Sequence, residues 1–182
     1  MITDVVAAWD GFRDTLKMYG NVVTLLNPPC SVAEIVLFEQ RFNLTLPLAL
    51  KSLLALNNGQ RVEKREGRSG LFKSISGWDN YEKYVFLPLE EIGSAYQTFV
   101  DDGILVEEFG FGEIPFAVDE TTRGYSPRNY RQAYCINSAT GAVSLIYTSC
   151  WDPWLPPAWQ LMKHERGKSL TEFIEKQIEY YR

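Results

Sequence analysis

Between Ser31 and Gly59 the apolar residues recur at helical spacing, with start and stop signals in agreement. The pattern predicts two helices joined by a tight corner. Ser31 and Glu34 have the spacing of a capping box, in which each side chain satisfies a free N–H at the helix start. Ile35, Phe38 and Phe42 then mark one buried face. Asn43 can close that helix in a left-handed conformation, and Pro47 suits the entry to the next. The second helix buries Leu50, Leu53 and Leu54 and stops at Asn57-Asn58-Gly59.

The same reading extends over the rest of the chain. Thr3 is a candidate cap for a first helix carrying Trp9, Phe12 and Leu16 on one side and ending at Gly20. Val22–Leu26 is ambiguous between strand and linker, and Arg61–Gly70 is charged and glycine-containing, so an exposed loop is expected. Leu71–Ile75 and Tyr84–Leu87 read as strands. Pro88 opens a helix with Glu90 and Glu91 in its first turn and Ile92, Tyr96, Phe99 and Val100 on its inner face, ending at Gly103. Ile114–Val118 is a short apolar strand whose Pro115 suits a sheet edge or a first strand position. Gln132–Ile136 and Ala142–Tyr147 flank a turn at Asn137–Gly141 and form a hairpin. The prolines of 151–159 exclude a regular element there. Ser169, with Glu172 three residues on, caps a last helix with Leu170, Phe173, Ile174, Ile178 and Tyr181 as its stripe. The expected fold class is α+β: one domain over 1–182, a central antiparallel sheet with N-terminal helices, one mid-chain helix and a C-terminal helix packed on it.

Several of these segments resemble the SUKH superfamily, which includes a yeast cell-wall-assembly regulator and many bacterial toxin-immunity proteins. They are Glu34-Ile35, Phe38-Glu39, Phe42, Leu46-Pro47 and Leu53-Leu54 closing on Asn58-Gly59. Further on come Leu87-Pro88-Leu89-Glu90-Glu91-Ile92, Ile114-Pro115-Phe116-Ala117, and Tyr134-Cys135-Ile136 leading into Gly141-Ala142-Val143. Their order carries the likeness over most of the chain. The resemblance implies an antiparallel sheet with helices packed on it, and for a short member an immunity role more often than another task. It implies fold more strongly than function.

Composition narrows the chemistry. A chain of 182 residues that is 46% hydrophobic and 14% aromatic can bury a sizeable core. Its net charge of −5 argues against life on a nucleic acid backbone and suits a basic protein partner. The N-terminus lacks the basic flank of a signal peptide and no apolar run is long enough to cross a bilayer, so a cytoplasmic location is expected. Cys30, Cys135 and Cys150 have no metal-ligand spacing and read as reduced, buried thiols. His164, the only histidine, falls in the charged segment 163–168, which reads as a solvated turn.

Neither a phosphate-binding loop nor a nucleophile with a positioned base is recognisable, and no cofactor or metal is expected. The charge pattern says more. Asp101, Asp102, Glu107, Glu108, Glu113, Asp119 and Glu120 fall in one stretch without a lysine or arginine. Such a run is either a solvated face or a docking surface for a basic partner. Trp78, Tyr81, Tyr125, Tyr130, Trp151 and Trp154 lie in expected loops and supply candidate anchors, since Trp and Tyr dominate many binding energies. The expected partner surface is therefore Asp101, Asp102, Glu107, Glu108, Asp119 and Glu120 with Trp78, Tyr125, Trp151 and Trp154. The leading expectation is a non-catalytic immunity protein that neutralises a basic toxin domain, a nuclease being one candidate. A regulatory interaction module is the first alternative, and a hydrolase using cysteine or paired carboxylates the second.

Overall fold

The computed structural model describes residues 2–18, 25–61, 70–74, 83–101, 112–119, 132–148 and 161–182. Within them the chain is an α+β structure of five helices and a six-stranded antiparallel sheet. The helices are α1 (Ile2–Met18), α2 (Val32–Phe42), α3 (Leu48–Leu54), α4 (Leu89–Asp101) and α5 (Leu170–Tyr181). The strands are β1 (Phe72–Lys73), β2 (Lys83–Phe86), β3 (Glu113–Asp119), β4 (Gln132–Asn137), β5 (Val143–Thr148) and β6 (Leu161–Gly167). Their order in the sheet is their order in the chain, β1-β2-β3-β4-β5-β6.

The caps of α2 form as their residues dictate. Ser31 Oγ accepts from the Glu34 N–H, Glu34 Oε2 accepts from the Ser31 N–H at 2.7 Å, and Asn43 closes the helix at φ 46°. Ser169 likewise caps α5, but the Glu172 carboxylate reaches one residue further back, to the Lys168 N–H at 2.9 Å.

Aromatic rings hold α1 and α5 against one face of the sheet. Phe173 of α5 lies 4.7 Å from Tyr134, 5.3 Å from Phe72 and 5.8 Å from Phe116 between ring centroids. Phe12 of α1 stacks on Phe72 at 5.7 Å, and Trp9 meets Phe86 edge-on at 5.8 Å. Tilted and edge-on rings at these distances add attraction beyond the area they bury. The sheet also curls, since strands stand about 4.8 Å apart, yet Lys163 of β6 reaches Glu113 of β3 at 2.7 Å.

Four expectations need correction. Thr3 falls within α1, which already starts at Ile2, and not ahead of it. Val100 points outward and is exposed, leaving Ile92, Ala95 and Phe99 as the buried face of α4. Pro115 sits in an interior strand, between β2 and β4, where a register shift between Pro115 and Ala117 absorbs the missing donor. The segment around His164 is β6, paired with β5 along its length. Its charged side chains are tolerated because it ends the strand order, and charge on an outer strand discourages stray pairing. The ends expected at Gly20 and Gly103 lie outside the described residues.

The Asn57–Gln60 corner joins most of the elements. Asn57 Oδ1 accepts from Trp9 Nε1 at 3.0 Å, and its amide donates to the Asn27 carbonyl. Asn58 Oδ1 accepts from the Leu89 N–H at 2.7 Å and so caps α4 from a distant part of the sequence. Gly59 lies against the Leu87–Pro88 backbone. Gln60 Oε1 accepts from the N–H groups of Leu71 and Phe86, joining β1 to β2 where their ladder ends.

Candidate functional site

Helices α2 and α4 meet through Gly93, whose missing side chain leaves room for the Phe38 and Phe42 rings. A Cβ there would stand 2.4 Å from Phe42 Cε2 and 2.9 Å from Phe38 Cε2. Gly93→Ala should therefore cost about 1–3 kcal/mol by overpacking. A urea midpoint lowered at constant slope would show it, and an unchanged midpoint would mean that Phe42 swings aside freely. Above this contact lies a cleft of about 220 Å³ lined by Glu34, Leu37, Arg41 and Glu90 around a floor that includes Phe38 and Leu89. Arg41 bridges it, with Nη1 3.0 Å from Glu90 Oε2, and lies 5.0 Å over the Phe42 ring. Glu34 stays ionised more readily than usual because Ser31 hydrogen-bonds its carboxylate.

The outward side of α2 is unusual for a helix in water. Ala33, Val36, Leu37 and Gln40 follow an i, i+3, i+4, i+7 spacing and all are exposed, Leu37 at 64%, beside Val32 at 75%. The helix thus carries two apolar stripes, of which only Ile35, Phe38 and Phe42 turn inward. Sequence reasoning found the inner stripe and missed the outer one, although the same period marks it.

The expected acidic surface is only partly described. Asp101 stands exposed in the last turn of α4, where Gln97 Nε2 donates to it at 2.8 Å. That turn holds no basic residue. Asp119 is 5% exposed at the end of β3, opposite Tyr84, and adds nothing to the exposed charge. Glu113, from the same acidic run, is fully buried. Its Oε1 accepts from Lys163 and from Asn137 Nδ2 at 2.9 Å, while Oε2 has no partner. Asp102, Glu107, Glu108, Glu120, Trp78, Tyr81, Tyr125, Tyr130, Trp151 and Trp154 lie outside the described residues.

The cysteines have little nucleophilic character where they are described. Burial, with Glu34 nearby, pushes the Cys30 thiol up to about 11, and burial beside Glu113 holds Cys135 well above the ordinary thiol range. Thiolate, the reactive form, is scarce in both at neutral pH. His164 cannot serve Cys135. Cross-strand partners share a sheet face, so Cys135 shares one with Ser144 and Glu165, whereas His164 shares the opposite one with Leu145 and Tyr134. His164 is occupied there, its ring stacked on Tyr147 and its Nε2 3.1 Å from the Tyr147 hydroxyl. Cys150 lies outside the described residues. Among the described residues no three metal-ligating side chains cluster, and no helix is long and apolar enough to cross a membrane.

Residues 29–176 match the SMI1/KNR4 family (SUKH-1). The chain belongs to that family. The match takes in α2, the Asn57–Gln60 corner, α4 and every strand, so the resemblance read from the ordered motifs holds as kinship. No curated protein matches the chain. The SMI1/KNR4 match leaves out α1 and the last turn of α5, which pack on each other: Phe12 meets Tyr181 edge-on at 5.8 Å, and Gly11 faces Ile178.

Proposed function

We propose that this protein is a non-catalytic immunity protein that binds and neutralises a basic toxin domain, a nuclease being the class whose phosphate-binding cleft carries the opposite charge. Membership of the SMI1/KNR4 family supports a protein-binding role of this kind or a regulatory one. The observation that carries the immunity reading further is Asp101, exposed on α4 and followed in sequence by Asp102, Glu107 and Glu108. Carboxylates gathered in one stretch steer a basic partner toward it and set its register. The absence of a shared face for Cys135 and His164 weighs against the cysteine hydrolase reading.

Co-expression with a toxic domain encoded beside this gene should rescue growth, and purification from the native cell should return one partner. Recovery of several unrelated partners would instead favour a regulatory module. Reversing Asp101, Asp102, Glu107 and Glu108 together should slow association with that toxin domain about tenfold or more at low salt. An unchanged on-rate would remove the acidic stretch from the interface.

A further inference from the structure

We propose that the outer stripe of α2 is a self-association surface, on which two copies of this chain pack antiparallel about a two-fold axis. The helix is built for such a contact. Ala33, Val36, Leu37 and Gln40 form a seam with coiled-coil spacing, and Ala33 is small enough to let a second helix approach. A two-fold axis between Val36 and Leu37 sets Val36 against Leu37 of the second copy and Ala33 against Gln40 of the second copy, so the apolar centre is self-complementary.

Charge selects a second copy over an unrelated apolar partner. Glu34 and Arg41 lie seven residues apart and so on the same edge of the seam. An axis lying across antiparallel helices keeps each edge beside its own equivalent. Glu34 then falls within about 3 Å, along the helix axis, of Arg41 of the second copy, given a rise of about 1.5 Å per residue. The arrangement makes two such pairs, one at each end. Both groups have capacity to spare: the capping box uses Glu34 Oε2 for both its bonds, and the Arg41 guanidinium, bound to Glu90 through Nη1, has five donors. Asp101 is eleven residues from Glu90 along α4, about 16 Å away, and stays clear of the contact.

One helix pair with its rim buries less than a permanent dimer needs, so the association is weak, with Kd on the order of 10–100 μM. Sedimentation of the full chain at about 0.15 M salt, where charge acts over about 8 Å, should show monomer passing to dimer across that range. Leu37→Glu should abolish dimer while leaving the circular dichroism spectrum unchanged. The decisive experiment uses the ion pairs. Glu34→Lys and Arg41→Glu should each weaken self-association at least tenfold, because each sets like charges together, and an equimolar mixture of the two should recover it as a heterodimer with both pairs restored. A wild-type chain that stays monomeric to several hundred μM overturns the proposal and leaves the stripe to a different macromolecule. A dimer whose mixture shows no recovery also overturns it, by placing the contact elsewhere. Because the toxin is absent from these measurements, their outcome is independent of the immunity reading.

Discussion

Gly59→Ala should lower the thermal midpoint by about 10 °C or more, or prevent folding outright. Gly59 has φ +65°, where any L side chain is strained by about 1–2 kcal/mol. The new Cβ would also stand 2.2 Å from the Pro88 nitrogen and 2.4 Å from the Leu87 carbonyl carbon. Both obstacles are backbone, held by α4 on one side and β2 on the other, and cannot turn away as a side chain can. The sum should exceed about 4 kcal/mol, a large share of the roughly 5–15 kcal/mol that holds a domain together. Gly141→Ala is the matched control, since Gly141 has φ +73° with nothing within 4 Å of the added carbon. It should cost only the backbone strain. Thermal melts that place the two variants within about 1 kcal/mol of each other would show that the corner is softer than its contacts imply.

Gln60→Leu should be the next most damaging change, at about 2–5 kcal/mol. Gln60 is 1% exposed, and its carbonyl oxygen accepts from the Phe86 N–H at 3.0 Å and the Leu71 N–H at 3.2 Å. Leucine keeps the bulk and removes the acceptor, leaving two buried donors without partners at about 1–3 kcal/mol each. Amide hydrogen exchange should quicken at Leu71 and Phe86 before it does at Ile136 or Val143, in the hairpin far from the corner. Uniform quickening would mean that the loss is general and that the oxygen is not specific to this junction.

These two positions show how far the sequence could be read. Asn58 and Gly59 were legible as a helix stop and as part of a family pattern. Their work, capping α4 and admitting the Leu87–Pro88 backbone, was not, because both partners lie about thirty residues away. Caps and stripes are local, so α2, α3, α5 and the β4–β5 hairpin were predicted nearly to their ends. β6 was not, because Lys163, His164, Glu165 and Arg166 show no alternation and only pairing with β5 makes them a strand. For α2 the difficulty was opposite. With apolar residues on both sides, periodicity alone does not say which stripe the core takes, and the larger rings of Phe38 and Phe42 took it. Of the acidic run that begins at Asp101, Asp101 is exposed while Glu113 and Asp119 are buried. A run of carboxylates in sequence says nothing about which ones a strand will carry inward.

The agreement between strand order and chain order bears on how the protein emerges from a ribosome. Each strand pairs with the one made just before it, so the sheet can zip up progressively during synthesis. Helix α1 and strand β1 wait longer: Phe12 meets Tyr181 and Phe72 meets Phe173, both of α5. At about 5–20 residues per second, α1 waits on the order of 10 s for that neighbour. Over that interval Phe12 lacks the Tyr181 ring that closes over it, and its side of α1 stays open to water and to any chaperone that holds apolar surface.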